Sequence, residues 1–320
     1  MPLVIGIDEA GYGPLLGPLV VAASAWQVTP QALSRDSWEL LRETVCRRPT
    51  RGDSRLVVND SKQVYHRQTG LIRLERSVLA FASAAGVAAQ TLQELLAGLG
   101  TNVTGDTPDL PWYGDLSLAL PIERERAAFA GIARKLSVNM HARGVHCRGL
   151  AAEVVTETAY NHRVAKTHNK AVVVLELVLR LMDRLTAPAG DQDVYIYIDR
   201  LGGRQDYSAA LLDAFPDRHL HIQDSQADCS RYRLADQRSD WVIDFSVNAD
   251  QHHMPVALAS MVAKYVRELL MERFNAFWRG YLPEVRPTAG YYTDAQRFLG
   301  DIAPVLERAR LYPRRFVRQR

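Results

Sequence analysis

Cysteine is scarce in this chain of 320 residues, which contains only Cys46, Cys147 and Cys229. The three are odd in number, lie far apart and form no C-x-x-C pair. This pattern excludes a disulfide scaffold and a structural zinc site of the usual spacing. Such cysteine usage is typical of a reducing compartment, and we therefore expect a cytoplasmic location.

Long apolar runs are also missing. No uninterrupted apolar stretch approaches the roughly 20 residues that cross a bilayer, and no basic segment followed by an apolar stretch opens the chain. We therefore expect no signal peptide and no membrane partner. Internal repeats and low-complexity tracts are absent as well, while 47% hydrophobic residues suffice for the core of one large domain or two small ones.

An excess of charge of one sign is absent over the whole chain, whose net charge is +3. This mildly basic balance permits a nucleic-acid partner without requiring one. The tail "LERARLYPRRFVRQR" is different, because it has a single acid against six arginines: Arg308, Arg310, Arg314, Arg315, Arg318 and Arg320. Two interpretations stay open for this tail, a solvated terminal face and a phosphate-contacting segment.

Short β-branched runs alternate with longer amphipathic segments. The runs "LVIGID" and "LVVAASAW" predict an opening meander, and "HCRGLAAEVVT", "DVYIYID", "HLHIQ" and "WVIDFSV" predict further strands. Helical periodicity marks "GLIRLERSVLAFASAAG", "AAQTLQELLAGLG", "ERERAAFAGIARKLSVNMHARG", "NKAVVVLELVLRLMDRL" and "PVALASMVAKYVRELLMERFNAFW". This alternation predicts an α/β fold with a mixed sheet. The stretch 101–121, rich in Gly, Pro, Asp and Thr, predicts a long loop with two exposed aromatic residues outside the core.

Acidic residues follow apolar strands at three places: Asp8 and Glu9, Asp199, and Asp250 just before a helix. Ligands of α/β sheets bind at strand ends. Because side chains alternate along a strand, Asp8 and Glu9 can share a site only if the chain leaves strand geometry there, which the glycines of the following turn make easy. Crowded carboxylates need a positive partner, and Mg²⁺ prefers oxygen ligands. The alternative is that each acid serves a turn.

Five sequence blocks, in order, resemble those of the type 2 ribonuclease H family, the ribonucleases HII and HIII. "GIDEAGYGPLLGPLVVAA" resembles its opening motif, approximately G-[IV]-D-E-[AV]-G-[RK]-G-P-x-x-G-P-[VL]-[VY]. "NDSK" resembles its second block, "VYIYID" its third, "NADQHHMPVALASMVAKYVREL" its fourth, and "AGYYTDAQRFL" its C-terminal G-Y-x-T-x-x-H. The match of several blocks in the same order is more specific than any single block.

The resemblance implies a ribonuclease H-like fold, a mixed β-sheet flanked by helices. It implies a catalytic domain over 1–270 with an insertion at about 86–145, then a helical C-terminal region over 271–320 with the basic tail. It further implies an endonuclease that uses Mg²⁺ or Mn²⁺. This enzyme would cut the RNA strand of RNA–DNA hybrids, or cut 5′ of ribonucleotides embedded in DNA, leaving a 3′-hydroxyl. A monomer is expected.

Site residues follow position by position from the same resemblance. Asp8, Glu9, Asp199 and Asp250 match the metal-binding acids. The implied substrate-binding residues are Gly11, Tyr12, Gly13, Asn59, Ser61, Lys62, Lys264 and Tyr291. In the family the glycine turn brings backbone amides to the 2′-hydroxyl, the lysines lie near the substrate backbone, and a tyrosine at position 291 or 292 stacks on a sugar.

Tyr12 departs from the family pattern, which has Arg or Lys between the two glycines. A guanidinium donates several hydrogen bonds, whereas a phenol donates one. Two interpretations stay open: Tyr12 stacks on a base or sugar, or it packs against the insertion without touching substrate. Gln296 also stands where the family often has His.

Other polar residues near the blocks have no assigned role. His252 and His253 follow Asp250 and could bond a carboxylate, ligate a metal or cap the next helix. Arg200 and Arg204 follow Asp199 and could reach phosphate or be surface charges.

Two further functions are compatible with these residues. The site could have been redirected to another structured nucleic acid, or the chain could be a hybrid-binding module without turnover. The four acids argue against a pure binding module, which needs positive charge at that place.

Overall fold

The computed structural model describes residues 1–65, 70–104, 109–122 and 127–319. Within these ranges, seven strands form one mixed sheet in the order β5–β2–β1–β6–β9–β8–β7, and β3 and β4 form a separate pair. The strands are β1 (Leu3–Ala10), β2 (Leu19–Val28), β3 (Val45–Cys46), β4 (Leu56–Val57), β5 (Val145–Val155), β6 (Val194–Asp199), β7 (His219–Ser225), β8 (Cys229–Ala235) and β9 (Asp240–Ser246). The predicted fold class, a mixed sheet flanked by helices, is confirmed.

Helices cover both faces of this sheet. They are α1 (Pro30–Leu33), α2 (Ser37–Leu40), α3 (Ser61–Val64), α4 (Ile72–Ala84), α5 (Leu92–Gly98), α6 (Ala127–Ala142), α7 (Glu157–Thr167), α8 (Lys170–Thr186), α9 (Ser208–Ala214), α10 (Ala249–His252), α11 (Met254–Tyr281), α12 (Tyr292–Ile302), α13 (Leu306–Ala309) and α14 (Pro313–Phe316). Short 3₁₀ turns occur at Pro111–Tyr113, Ala187–Ala189 and Ala303–Val305. In the part of the chain that is described, no helix is long and apolar enough to span a membrane.

The central strands β1, β6 and β9 run parallel to one another, whereas β2, β5, β8 and β7 join antiparallel. The carboxyl ends of parallel strands meet at one edge of a sheet. The last residue pair between β1 and β6 is Ile7 with Ile198. Asp8 and Asp199 are the residues that follow this pair on the two neighbouring strands. The strand-end acids are thereby brought to the same edge.

Two hydrophobic cores lie on the two faces of the sheet. One is built around α11 with α4, α5 and α6, and the other around α8. Gly6 of β1 lies against the first turn of α11, where a Cβ would be 2.2 Å from backbone atoms of Pro255 and Val256. The Ser24 hydroxyl donates to the Pro255 carbonyl at 2.7 Å, which fixes the same contact from β2. The helix therefore lies directly on the sheet backbone.

The stretch 101–121 differs from its prediction, because its two aromatic residues lie in the core. Trp112 is 2% exposed and Tyr113 is fully buried. The Trp112 ring packs edge-on against Phe274 and Phe316, at centroid distances of 4.9 and 5.7 Å. Local composition predicts the turns of this stretch but not the residues that bury Trp112, because those residues belong to α11 and the C-terminal tail. Residues 105–108 of this stretch and 123–126 of the following helix prediction lie outside the described residues.

The division predicted at residue 270 falls inside α11, a continuous helix from Met254 to Tyr281. The core around this helix includes Leu95 and Leu136 of the predicted insertion and Phe298 of the C-terminal region. The sequence pattern missed β8 and the two-residue β3, whose Arg- and Cys-containing segments lack a long apolar run. All three cysteines are free, in agreement with the sequence.

Candidate active site

Asp8 and Asp199 lie at the carboxyl ends of the neighbouring strands β1 and β6. Asp8 is 8% exposed, and its carboxylate accepts a hydrogen bond from the Glu9 amide at 2.7 Å. The Asp199 carboxylate accepts from the Ala249 amide at 3.0 Å, which ties the end of β6 to the start of α10. Asp250 lies in the first turn of α10. The acids picked out along the sequence therefore come from three neighbouring elements.

The expected break of strand geometry at Glu9 does not occur. β1 stays paired with β2 through Ala10, with Glu9 opposite Val21. Pairing with β6 stops at Ile7, however, so the last residues of β1 have no neighbour on that side. The Glu9 carboxylate nevertheless comes under the influence of Asp199, whose charge raises its pKa.

The charge of Asp199 acts on each of the other three acids and raises their pKa values. Burial, then the charges of Glu9 and Asp199, hold the pKa of Asp8 well above its usual value. Burial and the charge of Asp199 raise the pKa of Glu9 to about 7. Burial, followed by the charges of Asp60 and Asp199, raises the pKa of Asp250 to about 6. Burial also raises the pKa of Asp199. Such crowding is costly for a group of acids that serves only turns.

Lys62 supplies positive charge to this cluster. Its ammonium lowers the pKa of Glu9, Asp199 and Asp250, against the larger effects that raise them. Lys62 reaches the acids because α3 begins beside α11, where the Ser260 hydroxyl donates to the Ser61 hydroxyl at 3.1 Å. The predicted Lys62 is thus beside the acids.

Asp60 and Ser260 are neighbours of the cluster that the sequence interpretation missed. The Asp60 carboxylate accepts from the Lys62 amide at 3.0 Å and caps α3, and its charge raises the pKa of Asp250. Ser260 lies near Asp8 and lowers the pKa of its carboxyl, against the larger effects that raise it. The signal for Asp60 was its place in "NDSK", and the signal for Ser260 was its place in the fourth block, "NADQHHMPVALASMVAKYVREL".

The acids fit a divalent cation in chemistry, although they do not enclose one. Within the described residues, no group of three or more His, Cys, Asp and Glu side chains is arranged to hold a metal ion. The donors are hard carboxylate oxygens of the kind that Mg²⁺ and Mn²⁺ prefer. The buried Oε2 atom of Glu9 has no hydrogen-bond partner among the described residues. Asp8, Glu9, Asp199 and Asp250 are the residues that could hold the ion.

The turn Gly11-Tyr12-Gly13 follows the acids and is held from behind. Gly11 has a φ of 91°, and a Cβ there would lie 2.5 Å from the Pro18 carbonyl oxygen, so no other residue fits. The Arg318 guanidinium donates to the carbonyls of Gly11 and Tyr12. At Gly13 a Cβ would meet nothing within 4 Å, so this side of the turn is open.

Tyr12 packs on the core around α8, away from the insertion, whose described helices belong to the other core. Among the described residues Tyr12 thus packs on the α8 side, and stacking on a substrate base or sugar stays a prediction. The Lys170 ammonium lies over the Tyr12 ring, 4.6 Å from its centroid. A Cβ on Gly202 would lie 3.6 Å from the phenol oxygen, which places the ring beside the loop after β6. Burial, then the charges of Tyr160 and Glu9, raise the pKa of Tyr12.

The remaining predicted substrate residues have different environments. Asn59 and Ser61 are buried, and the Asn59 amide donates to the Arg47 carbonyl at 3.3 Å. The Lys264 ammonium pairs with Glu268 at 2.6 Å and is 13% exposed. The Tyr291 side chain is 52% exposed. It lies near the Gly-Tyr-Gly turn, because the carbonyl of the preceding Gly290 accepts hydrogen bonds from the Leu15 and Leu16 amides.

Over its described length the basic tail is exposed at Arg308, Arg310, Arg314 and Arg315, as the solvated-face interpretation predicts, whereas Arg318 is buried, and contact with phosphate stays a prediction. Arg318 is 3% exposed, with its guanidinium 3.8 Å from the Tyr160 ring centroid. Arg315 pairs with Asp109 at 2.5 Å. These arginines attach the tail to the fold, a role that depends on partners far away in the sequence. Arg320 lies outside the described residues.

The structure also shows the environments of the polar residues without an assigned role. The His253 ring stacks on the Tyr197 ring with 3.7 Å between their centroids. Burial lowers the pKa of His253 to about 4. His253 occupies the N-cap position of α11 without a side-chain cap bond. His252 and Gln296 are exposed. The Arg200 guanidinium donates to the carbonyls of Arg204 and Ala227, which stiffens the loop after β6.

Glu157 is a fully buried carboxyl behind the turn, and it makes stability depend on pH. Burial raises its pKa from 4.5 to about 7, although a hydrogen bond from the Tyr113 hydroxyl and the charge of Arg318 act in the opposite direction. The folded chain therefore holds this proton more tightly than the unfolded chain does. Its contribution to stability is fully present below about pH 4.5 and is lost as the pH rises through about 7.

We expect Glu157→Gln to remove this dependence, since glutamine stays neutral and can still accept from Tyr113. Relative to the parent, the variant should gain on the order of 2–3 kcal/mol in free energy of unfolding between about pH 5 and pH 8. Urea unfolding of both proteins at the two pH values measures the difference. Parallel pH profiles would contradict the assignment.

Comparison with known proteins gives similarities of structure alone. No protein-family model and no curated protein sequence matches the chain. Among solved structures, the chain is similar to ribonuclease HII of Archaeoglobus fulgidus, solved as a complex with PCNA. The identity is 16%, the match covers 99% of this chain and 94% of that one, and the TM-score is 0.43.

Ribonuclease H2 of Pyrococcus horikoshii OT3 is 16% identical, with 99% and 92% of the two chains covered and a TM-score of 0.47. The ribonuclease HIII called Bst-RNase HIII, solved in complex with Mn²⁺, is 16% identical, with 93% and 62% covered and a TM-score of 0.39. Each of these three similarities is one of fold.

Proposed function

We propose that this chain is a divalent-metal-dependent endonuclease. Its proposed substrates are the RNA strand of RNA–DNA hybrids and duplex DNA with embedded ribonucleotides, which it would cut 5′ of the ribonucleotide. The observation that carries the proposal is the meeting of four sequence-predicted acids, Asp8, Glu9, Asp199 and Asp250, at the ends of neighbouring elements, with Lys62 among them.

The raised pKa values of the four acids support the proposal that a cation binds among them. Each of the four acids has a raised pKa, and Glu9 keeps a buried oxygen without a partner in the described part of the chain. Burial of charged carboxylates and repulsion between them both destabilise a fold, so such a cluster is costly without a function. When bound, Mg²⁺ or Mn²⁺ supplies an activated water and stabilises the leaving oxygen.

The residues around the acids support a nucleic-acid substrate. The exposed Lys62 is a point charge beside the carboxylates, where a scissile phosphate would lie. The open side of Gly13 leaves room for a ribose to approach backbone amides, and contact with the 2′-hydroxyl distinguishes RNA from DNA. Tyr291 offers an exposed ring beside the same turn, on which a sugar or base can stack.

Cleavage of four labelled nucleic acids tests the proposal: duplex DNA with one ribonucleotide, an RNA–DNA hybrid, double-stranded RNA and plain duplex DNA. Each is incubated with Mg²⁺, with Mn²⁺ and with a chelator. We expect metal-dependent cutting of the first two alone, with cleavage 5′ of the single ribonucleotide. Cutting only of the other two would indicate a redirected nuclease, and binding without cutting would indicate a hybrid-binding module.

A further inference from the structure

The Gly-Tyr-Gly turn has no cation of its own, yet one lies against it. Lys170 begins α8, and its ammonium lies 4.6 Å from the centroid of the Tyr12 ring. The face of an aromatic ring carries negative charge and attracts a cation at this distance. A neutral side chain in the turn therefore holds a positive charge that comes from another part of the chain.

The Lys170 ammonium contacts the Tyr12 ring but no carboxylate among the described residues. Among the described residues, no carboxylate forms an ion pair with it and no hydrogen bond is donated by its ammonium. Other cations near the turn are used: Arg318 by the carbonyls of Gly11 and Tyr12, and Lys264 by Glu268. Three N–H donors of Lys170 thus stay available to a ligand, and an ammonium binds phosphate as a point charge.

The position of Lys170 complements that of Lys62. Lys62 belongs to α3, which packs on α11 on one face of the sheet, whereas α8 packs on the opposite face. One lysine therefore comes from each layer: Lys62 acts on the acids, and Lys170 lies against Tyr12 of the turn that follows them. A nucleic-acid backbone that crosses this edge has phosphates on both sides of the scissile one.

We propose that Lys170, held by the ring of Tyr12, binds a substrate phosphate and takes the place of the charged residue that the family has between the two glycines. This inference rests on the proposed function, because it names a phosphate contact of the same site. Tyr12 acts as a positioning residue through its ring.

Binding measured without turnover tests this directly. Fluorescence anisotropy with labelled duplex DNA carrying one ribonucleotide, without added metal, gives the Kd between about 50 and 200 mM salt. Lys170→Gln should raise the Kd about 3- to 10-fold and reduce the slope of log Kd against log salt by about 1, as for one lost phosphate contact. Lys135→Gln, on the exposed side of α6 in the other layer, is the matched control and should bind as the parent does.

The charge-swap variants decide between a phosphate contact and a structural effect. Tyr12→Leu removes the ring that holds the ammonium and should raise the Kd in the same direction as Lys170→Gln does. Tyr12→Arg combined with Lys170→Gln returns a cation to the turn and should regain parental Kd and salt slope. A double variant as weak as Lys170→Gln, or a Lys170→Gln protein that binds like the parent, overturns the inference alone. A parent that binds none of the four nucleic acids overturns the proposed function and this inference with it.

Discussion

Asp199→Asn is expected to reduce metal-dependent cleavage at least about 100-fold, the scale on which the loss of one group that stabilises transition-state charge is felt. Asparagine keeps the shape of aspartate, and its carbonyl oxygen can still accept from the Ala249 amide, so the end of β6 should stay in place. Only the charge is lost. Single-turnover cleavage of the ribonucleotide-containing duplex by the parent and the variant gives the ratio. Asp8→Asn should behave in the same way.

The matched control is Asp193→Asn, immediately before the other end of the same strand. The Asp193 carboxylate accepts from the Asp240 amide at 3.1 Å, far from the acids at the carboxyl end, so cleavage should be unchanged. An Asp199→Asn protein that cuts as fast as the parent would remove the acids from the proposed mechanism.

Thermal unfolding gives a second readout of the same variants. Removing one of several repelling carboxylates should raise the Tm of Asp199→Asn without metal, because the remaining acids repel less. Added Mn²⁺ should raise the Tm of the parent by binding the folded state, and it should raise that of the variant less.

Gly6→Ala is expected to destabilise the chain by more than about 3 kcal/mol, at or beyond the upper range for overpacking a core. The added Cβ would lie 2.2 Å from backbone atoms of Pro255 and Val256, so a helix or a strand must move rather than a side chain. The urea midpoint of the variant, or its failure to accumulate as folded protein, measures the effect.

Gly149→Ala in β5 is the control for the change itself. A Cβ there meets nothing within 4 Å, and alanine suits a strand better than glycine does. Its stability should stay within about 1 kcal/mol of the parent. If Gly6→Ala were equally harmless, the close packing of β1 against the start of α11 would be wrong.

Local pattern is what the sequence by itself determined. The alternation of apolar residues predicted most strands of the large sheet and the long helices, because burial of one face depends on neighbours only a few residues away. The acids at strand ends could be selected for the same reason, since a charge that ends a buried strand is visible locally. The resemblance of the five blocks added the order in which these acids belong together.

Long-range contact is what only the tertiary structure decided. Trp112 lies in a polar, turn-rich stretch, and its burial depends on α11 and the tail, more than 100 residues away. Arg318 looks like part of a solvated basic run until its carbonyl partners in the turn are known. Tyr12 is the clearest case: the sequence shows a neutral residue where the family has a cation, whereas the fold brings Lys170 onto its ring. A contact between residues 12 and 170 leaves no mark in either local pattern, because it depends on how β1 and α8 lie across the same sheet.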